Sequence, residues 1–373
     1  MKIGITCYPT YGGSGVVASE LGIELAKRGH EIHFISYEMP FKINKYYKNI
    51  FFHEVEVLEY PLFKYPPYSL SLSVKMAEIF ESARLDIMHV HYAIPHAASA
   101  YLTQRILGED SNFKFVTTLH GTDITIVGNH SSFFKITKFC IENSNGITCV
   151  SNYLKQATID TFNIKKDIEI IYNFVDTSKY KRNSLAKNKL GIVKKNESGI
   201  IHISNFRPVK NIRNIIEIFS RIRKEVDTRL MLVGDGPDLA FIKEAVTRLN
   251  LNDKVVFLGR QDNIVPLLSS ADLYLLPSKS ESFGVSALEA LSCGVPVIGT
   301  STGGLKEVVK DGECGYLFDP ENVEEMAKAA IGILSSKIKS EKMSIEARKT
   351  ALRFDSKVII PEYIEYYKKI KNS

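Results

Sequence analysis

The chain has 373 residues, of which 45% are apolar, and this is enough to form two hydrophobic cores of ordinary size. Its formal net charge of +6 is modest and its basic residues are dispersed, which argues against a dedicated nucleic-acid-binding protein. No apolar run reaches the roughly 20 residues that span a bilayer, and no signal-peptide core follows Met1, so we expect a cytoplasmic protein without stable membrane insertion. The five cysteines lack CxxC spacing, so we expect neither disulfides nor a zinc cluster.

Short apolar runs alternate with amphipathic segments along the whole chain, which is typical of parallel sheets covered by helices on both faces. The predicted strands of the first half are 3–7, 31–36, 86–90, 113–119 and 146–150. A polar, lysine-rich stretch over 177–198 follows, and the second set of predicted strands is 200–203, 229–233, 254–258, 272–276 and 295–298. The pattern predicts an α/β protein with two doubly wound, Rossmann-like domains that face each other across a ligand-binding cleft. The last segment, 358–370, predicts an aromatic amphipathic helix that packs back on the first domain.

A glycine-rich turn over 9–16 joins the first predicted strand to the first helix. Glycines at such a turn let backbone N–H groups approach a diphosphate, and Ser14 and Gly15 lie where the helix opens. The spacing departs from G-x-G-x-x-G because Ala18 occupies the third glycine position. A nicotinamide-dependent oxidoreductase is therefore the weaker interpretation of this turn.

Histidines follow two predicted strands of the first half. His120 ends the strand 113–119 and is followed at once by glycine, a position from which it can donate to a sugar hydroxyl. His89 and His91 alternate along another strand, but no carboxylate or cysteine spacing completes a metal site, so we expect them to be structural. The sequence predicts no metal and no bound cofactor.

Two basic residues follow the first strand of the second half. Arg207 and Lys210 lie in the loop 204–211, at the predicted carboxyl edge of the sheet. Preorganised cations there would neutralise a leaving diphosphate, each with an effect of roughly 3 kcal/mol by analogy with oxyanion donors. A solvated basic loop is the alternative interpretation.

The segment 281–289 has a carboxylate at each end of a predicted helix start. If a helix begins near Gly284, its free N–H groups and positive dipole end suit a phosphate. Glu281 and Glu289 would then accept hydrogen bonds from hydroxyls on opposite sides of that phosphate, which is the layout of a nucleotide-sugar. Gly234, in another strand-to-helix turn, would border a flat nucleobase.

Taken together, these motifs resemble those of retaining glycosyltransferases of family 4, which have the GT-B fold. The resemblance covers nearly the whole chain and rests on segments 12–15, 120–122, 150–152, 173–176, 233–237 and 281–289. It implies UDP-N-acetylglucosamine as the donor and, from segments 7–15 and 204–210, L-malate as the acceptor, in the first step of bacillithiol biosynthesis. It also implies retained configuration, UDP as the second product, and protein cations in place of a metal.

The resemblance also implies roles for individual residues. His120, Glu281, Lys210 and Arg207 would form the catalytic set, with Glu281 on the donor sugar hydroxyls and the two cations on the diphosphate. Donor-binding residues would be Ser14, Gly15, Gly234, Phe283, Gly284, Val285 and Glu289, the last on the ribose. Many family members carry Gly-Arg where this chain has Ser204-Asn205, so the expected arginine is displaced to Arg207.

For the acceptor, position along the chain favours Tyr92, Thr118, Lys135 and Asn152, with Lys135 as the cation for a carboxylate. The predicted acceptor-binding domain is 1–170 together with 355–373, and the nucleotide-sugar-binding domain is 171–354. Two alternatives stay open: a family 4 enzyme with an inositol phosphate, glycan or lipid acceptor, and a non-catalytic nucleotide-sugar binder. The oligomeric state, a homo-oligomer included, also stays open.

Overall fold

The computed structural model describes residues 1–10 and 12–373, except for the side chain of Asn188, so Tyr11 of the glycine-rich turn lies outside the described residues. The described chain forms two compact units, one of Met1–Asn173 with Lys357–Ser373 and one of Phe174–Ser356. The predicted boundaries, after 170 and after 354, come three and two residues before these.

The first unit contains a seven-stranded parallel sheet in the order β3-β2-β1-β4-β5-β6-β7. Its strands are β1 (Lys2–Thr6), β2 (Glu31–Ser36), β3 (Ile50–Glu54), β4 (Ile87–His91), β5 (Phe115–Leu119), β6 (Gly146–Cys149) and β7 (Glu169–Ile170). Its helices are α1 (Gly13–Lys27), α2 (Tyr68–Ala83), α3 (Ala98–Leu107), α4 (Thr122–Thr125), α5 (Ser131–Asn143), α6 (Asn152–Phe162) and most of α15 (Ser356–Lys371). A turn over Ala93–Ala97, in which Ile94 has an extended backbone, follows β4.

The second unit contains a six-stranded parallel sheet in the order β10-β9-β8-β11-β12-β13. Its strands are β8 (Ser198–Ser204), β9 (Thr228–Gly234), β10 (Val255–Gly259), β11 (Leu273–Leu276), β12 (Val297–Thr300) and β13 (Gly315–Phe318). Its α-helices are α7 (Ala186–Leu190), α8 (Ile212–Ile222), α9 (Leu239–Arg248), α10 (Val265–Ser270), α11 (Val285–Ser292), α12 (Leu305–Val308), α13 (Val323–Leu334) and α14 (Lys337–Ala351). Single 3₁₀ turns occupy Pro208–Lys210 and Leu352–Phe354.

The prediction of two parallel-sheet domains is confirmed, and each of the ten predicted strands overlaps an observed one. Three strands were not predicted: β3, β7 and β13. All three lie at an edge of their sheet, and their side chains are mostly half-buried or exposed. An edge strand buries less apolar surface than a central one, so its sequence carries a weaker hydrophobic pattern.

The C-terminal helix α15 packs on the first sheet through its tyrosines. The Tyr366 hydroxyl donates to the carbonyl of Ile147 at 3.1 Å and accepts from its N–H at 2.9 Å, so one phenol satisfies both backbone groups of that residue. Tyr363 and Tyr367 are fully buried. Residues Lys357–Ser373 accordingly belong to the first compact unit. No described helix combines the length and apolar character needed to cross a bilayer.

Candidate active site

In the second unit, a buried histidine shapes the loop that follows β8. The carbonyl oxygen of Leu275 can only accept, so His202 donates to it from Nδ1 at 2.8 Å. Its Nε2 then accepts from the Ser204 hydroxyl at 2.7 Å, and Ser204 Oγ in turn accepts the Phe206 N–H at 3.3 Å. Burial lowers the pKa of His202 to about 4, so the ring is neutral near pH 7. The loop buries Phe206 completely and leaves Arg207 exposed.

Two of the three predicted catalytic groups of this unit, Lys210 and Glu281, form an ion pair. Lys210 Nζ lies 2.7 Å from Glu281 Oε1, and the same oxygen accepts from the Ser278 hydroxyl at 2.7 Å. Glu281 is 9% exposed, and about a fifth of the Lys210 side chain is exposed. A mostly enclosed pair of this kind holds its geometry better than a solvated one, because less water competes for the charges.

A glycine loop after β12 fixes the backbone of Glu281. The N–H of Gly304 donates to the carbonyl of Glu281 at 2.7 Å, and the Thr302 hydroxyl donates to the carbonyl of Lys279 at 2.8 Å. Gly303 has φ +79°, and a Cβ there would lie 2.2 Å from the Glu281 carbonyl oxygen. The close approach therefore requires glycine for two reasons, conformation and space.

Helix α11 begins one residue after Gly284, as predicted, and Gly284, its N-cap residue, provides no side-chain cap. Gly284 has φ +96°, which turns the chain sharply into the helix. The ring of Phe283 is buried and packs edge-on against Phe354, with centroids 5.6 Å apart. Phe283 and Val285 thus offer backbone groups at the helix N-terminus, where uncapped N–H groups favour an anion.

Two further donor-binding residues were predicted in this unit, Glu289 and Gly234. Glu289 is half-buried one turn into α11, and its charge helps to raise the pKa of the buried Tyr274, an effect that is mainly due to burial. Gly234 has φ +128°, and a Cβ there would lie 1.8 Å from the carbonyl oxygen of Ser204. Gly234 therefore packs backbone to backbone against the last residue of β8.

In the first unit, the glycine-rich turn packs tightly against its own backbone. The N–H of Gly15 donates to the carbonyl of Gly12 at 3.0 Å, and a Cβ on Gly15 would lie 2.4 Å from the carbonyl oxygen of Tyr8. Ser14 is buried in the first turn of α1. The N-terminus of α1 has no side-chain cap among the described residues.

A buried carboxylate, which sequence reasoning assigned no role, holds two loops of this unit together. Asp123 Oδ1 accepts from the N–H groups of His120 and Gly121 at 3.1 and 2.9 Å, and its Oδ2 accepts from Ala93 N–H at 3.1 Å. Burial raises the pKa of Asp123 to about 6, against the opposing effect of these donors. The loops after β4 and β5, which carry Tyr92 and His120, are thereby fixed to one another. The available signal was the strand-end order His-Gly-Thr-Asp.

Tyr92 and His120 are close neighbours. Their ring centroids lie 5.3 Å apart, and both residues are half-buried. Tyr92 has φ +86°, a conformation that non-glycine residues rarely adopt and that is commonly found at functional sites. The structure therefore brings one predicted catalytic residue and one predicted acceptor residue together.

Thr118 differs from the other predicted acceptor residues because it is fully buried. Its hydroxyl is hydrogen-bonded to His89 Nε2 and to Thr148 Oγ1, both at 2.6 Å. A hydroxyl engaged in this way inside the sheet is not available to a ligand, so we correct the prediction for Thr118 to a structural role. Thr118 does lie near the end of a predicted strand, but its side chain is packed inside the sheet.

Lys135 and Asn152 are both exposed. Lys135 lies on α5 and has no ion-pair partner in the described part of the chain. Asn152 is the first residue of α6, and its side chain donates to the Tyr172 hydroxyl at 3.0 Å. The N-cap of this helix, Ser151, accepts from the Leu154 N–H.

His89 and His91 lie on one face of β4, as predicted, with ring centroids 4.3 Å apart. His89 Nδ1 is hydrogen-bonded to the Tyr367 hydroxyl at 2.7 Å. Among residues 1–10 and 12–373, no three histidine, cysteine or acidic side chains are arranged to hold a metal ion.

Comparisons with known proteins agree with this architecture. Residues 11–179 match the model for Glycosyltransferase Family 4, and residues 185–350 match that for Glycosyl transferases group 1. The N-acetyl-alpha-D-glucosaminyl L-malate synthase of Bacillus anthracis is 47% identical over 98% of this chain and 96% of its own.

Solved structures agree as well. A sucrose-phosphate synthase from Thermosynechococcus elongatus is similar with a TM-score of 0.82 and 21% identity, over 99% of this chain and 98% of that one. Anabaena HepE in complex with UDP and glucose has a TM-score of 0.81 and 21% identity, over 99% and 100%. The chain therefore belongs to the family 4 glycosyltransferases of the GT-B fold, together with the B. anthracis synthase.

Proposed function

We propose that this glycosyltransferase moves N-acetylglucosamine from UDP-N-acetylglucosamine to the hydroxyl of L-malate, the first step of bacillithiol biosynthesis. The name and near full-length similarity of the B. anthracis relative support the choice of acceptor and of transferred sugar. The single structural observation that carries a nucleotide-sugar function is the Lys210–Glu281 pair beside the uncapped start of α11. It combines a cation, a carboxylate and the N–H groups of a helix N-terminus, which suit a diphosphate bonded to a sugar.

The second unit would bind the donor. Lys210 and the exposed Arg207 would neutralise the diphosphate, and the backbone of Gly284 and Val285 would donate to its oxygens. Glu281 would accept from sugar hydroxyls through the oxygen that Lys210 leaves free. Glu289, half-buried on α11, would accept from the ribose. For Gly15 and His120 of the first unit, the family resemblance implies roles toward the diphosphate and the sugar.

The transfer would retain the configuration at the anomeric carbon. The malate hydroxyl oxygen attacks that carbon from the side of the leaving group, and the bond to the β-phosphate oxygen breaks. The hydroxyl proton passes to that departing phosphate oxygen, so the products are the α-glucosaminide and UDP. Negative charge grows on the diphosphate as the bond breaks, and the fixed Lys210 ammonium stabilises it electrostatically. Because protein cations would stabilise the negative charge on the diphosphate, the proposed reaction needs no metal.

The first unit would bind malate. Two carboxylates require donors or cations, and Tyr92, Asn152 and Lys135 are the proposed partners. Tyr92 has the strongest structural support of the three, because it adjoins His120 on a loop that Asp123 fixes.

An acceptor panel tests this function. Purified full-length protein is incubated with UDP-N-acetylglucosamine and L-malate, other dicarboxylates or an inositol phosphate, and UDP release and product mass are measured. We expect malate to give the fastest release, an α-anomeric product by NMR, and an unchanged rate in EDTA. Release with inositol phosphate but not malate would assign another acceptor. UDP binding without turnover on any acceptor would favour a binding protein, and NADH binding without UDP binding would favour an oxidoreductase.

A further inference from the structure

Four histidines lie together beneath the ends of β4 and β5. His89, His91 and His96 are fully buried, and His120 is half-buried at the edge of the group. His91 Nδ1 lies 2.8 Å from His120 Nε2, and the two ring planes are inclined by 26° with centroids 5.1 Å apart. The proposed function uses only His120, so the direct contact from His91 calls for an explanation.

All four rings are neutral near pH 7. Burial lowers the pKa of His89 and of His120 to about 3 and that of His96 to about 4, and it lowers the pKa of His91 well below its ordinary value. Each ring therefore carries one proton, on either Nδ1 or Nε2. For His120, the question is whether the ring nitrogen that faces a ligand is the one that carries the proton.

His96 provides an internal reference. Its Nδ1 is 2.5 Å from the carbonyl oxygen of His91, which can only accept, so the proton of His96 is on Nδ1. Its buried Nε2 is then a bare nitrogen, and it has no partner in the described structure. The fold thus already tolerates an unprotonated ring nitrogen in this enclosure.

His91 presents the same choice. Its Nε2 is also buried without a partner among the described residues. If that nitrogen carried the proton, a buried N–H donor would be left without an acceptor, which folded proteins avoid. If the proton is on Nδ1, His91 donates to His120 Nε2, and only a bare nitrogen remains inside, as in His96.

We propose that His91 is a positioning residue, whose Nδ1–H donates to His120 Nε2 and so keeps the His120 proton on Nδ1. Nδ1 of His120 makes no hydrogen bond within the described chain, so it is the nitrogen left to a ligand. It then meets the ligand as a donor, suited to a hydroxyl or phosphate oxygen of a nucleotide-sugar. The ligand's identity rests on the proposed function, but the protonation state of the two rings does not.

Nitrogen NMR tests the protonation state directly. Full-length protein is labelled with ¹⁵N-histidine, and long-range ¹H–¹⁵N spectra are recorded at pH 7.5 without substrate, with peaks assigned from single histidine variants. We expect His120 to be protonated on Nδ1 and unprotonated on Nε2. Protonation of His120 on Nε2 would overturn the proposal, whether or not the protein transfers sugar to malate.

Two substitutions test the positioning effect. An asparagine amide lies near the place of a histidine Nδ1, so His91→Asn keeps a donor there, whereas His91→Leu removes it. We expect His91→Leu to lower kcat about tenfold or more, with KM for UDP-N-acetylglucosamine changed by less than about twofold, and His91→Asn to recover most of kcat. Equal losses in both variants, or no loss in either, would contradict the proposal. If His91→Leu does not fold, the spectrum of His91→Asn still decides, since its His120 must remain protonated on Nδ1.

Discussion

Lys210 Nζ and Glu281 Oε1 lie 2.7 Å apart although 71 residues separate them in the chain. A hydrogen bond from Lys279 N–H to the carbonyl of Val209 joins the two loops that carry them. The pair is thus built on backbone contacts, and it presents one cation and one carboxylate as a preformed unit. Preformed groups need no reorganisation when charge develops on a substrate.

Removing either member of this pair should impair turnover. We expect Glu281→Gln and Lys210→Gln each to lower kcat/KM by about 100-fold, because each removes charge that the transition state requires. The double variant should lose less than the product of the two effects, since the groups act together. UDP release with malate measures all three.

Lys328→Ala provides the matched control, because Lys328 is an exposed lysine of the same unit that pairs with Glu324. Its kcat/KM should stay within about twofold of the unaltered protein. Unchanged activity in Glu281→Gln would remove the pair from the mechanism.

Replacing Glu289 should weaken recognition of the ribose and leave the rest of the nucleotide unaffected. A charged hydrogen bond contributes about 1.5 to 3 kcal/mol, so the unaltered protein should bind UDP about tenfold or more tightly than its 2′- or 3′-deoxy analogue. Glu289→Gln should lose most of that discrimination. Calorimetric titration of the three nucleotides measures it, and a variant that still discriminates fully would show that Glu289 does not contact the ribose.

Gly303→Ala should affect the site more than it affects stability. Its Cβ would meet the Glu281 carbonyl oxygen at 2.2 Å, so the loop that carries Glu281 must move. A displacement of about 1 Å at a positioning element can lower the rate about 100-fold. Kinetic assay and thermal unfolding of the variant measure the two effects separately.

Gly312→Ala is the control for Gly303→Ala. Gly312 has a similar φ of +75°, but a Cβ there would have no neighbour within 4 Å. It should lose about 1 kcal/mol from backbone strain and keep its activity. Equal kinetic losses in the two variants would point to strain in general and away from the Glu281 contact.

Glu197 should make stability depend on acid pH. It is 4% exposed and bonded to Arg229 at 2.9 Å and Lys254 at 2.7 Å, and these partners lower its pKa from 4.5 to about 2. A depressed carboxyl pKa stabilises the fold above the unfolded-state pKa, and that contribution, about 3 kcal/mol, is lost as pH falls from about 4.5 to 2. Glu197→Gln should therefore lower the free energy of unfolding at pH 7 and flatten its decline over that range. Denaturant titration at several pH values measures this.

The exposed Glu324, which pairs with Lys328, offers the comparison for Glu197. Glu324→Gln should leave the free energy of unfolding and its pH dependence close to those of the unaltered protein, because water screens an exposed ion pair. A similar pH profile for both variants would mean that burial of Glu197 does not set the effect.

Much of the fold and part of the candidate site could be predicted from the sequence. The central strands carry continuous apolar runs because they are covered on both faces, whereas β3, β7 and β13, at sheet edges, carry a weak signal. The start of α11 after Gly284 was predictable because a glycine at the turn and an apolar helix behind it leave few other conformations. The resemblance added the sugar, the acceptor and the role of each residue.

Side-chain contacts between segments distant in the sequence could not be predicted from it. Thr118 illustrates this, since its place at a strand end was correct but only the packed sheet turns its hydroxyl toward His89 and Thr148. Asp123 is another example: the order His-Gly-Thr-Asp marks a strand end, but only the fold shows that its carboxylate accepts from backbone N–H groups of the loop after β4 as well as of its own loop.

By itself, then, the sequence determined two parallel-sheet domains, their strand-end loops and the residue types that a nucleotide-sugar requires. Only the tertiary structure decided that Lys210 pairs with Glu281, that Gly303 holds the carboxylate loop, and that His91 contacts His120. The reason is physical: periodicity and turn chemistry act over a few residues, whereas the direction of a buried polar side chain depends on which distant donor or acceptor packing places beside it.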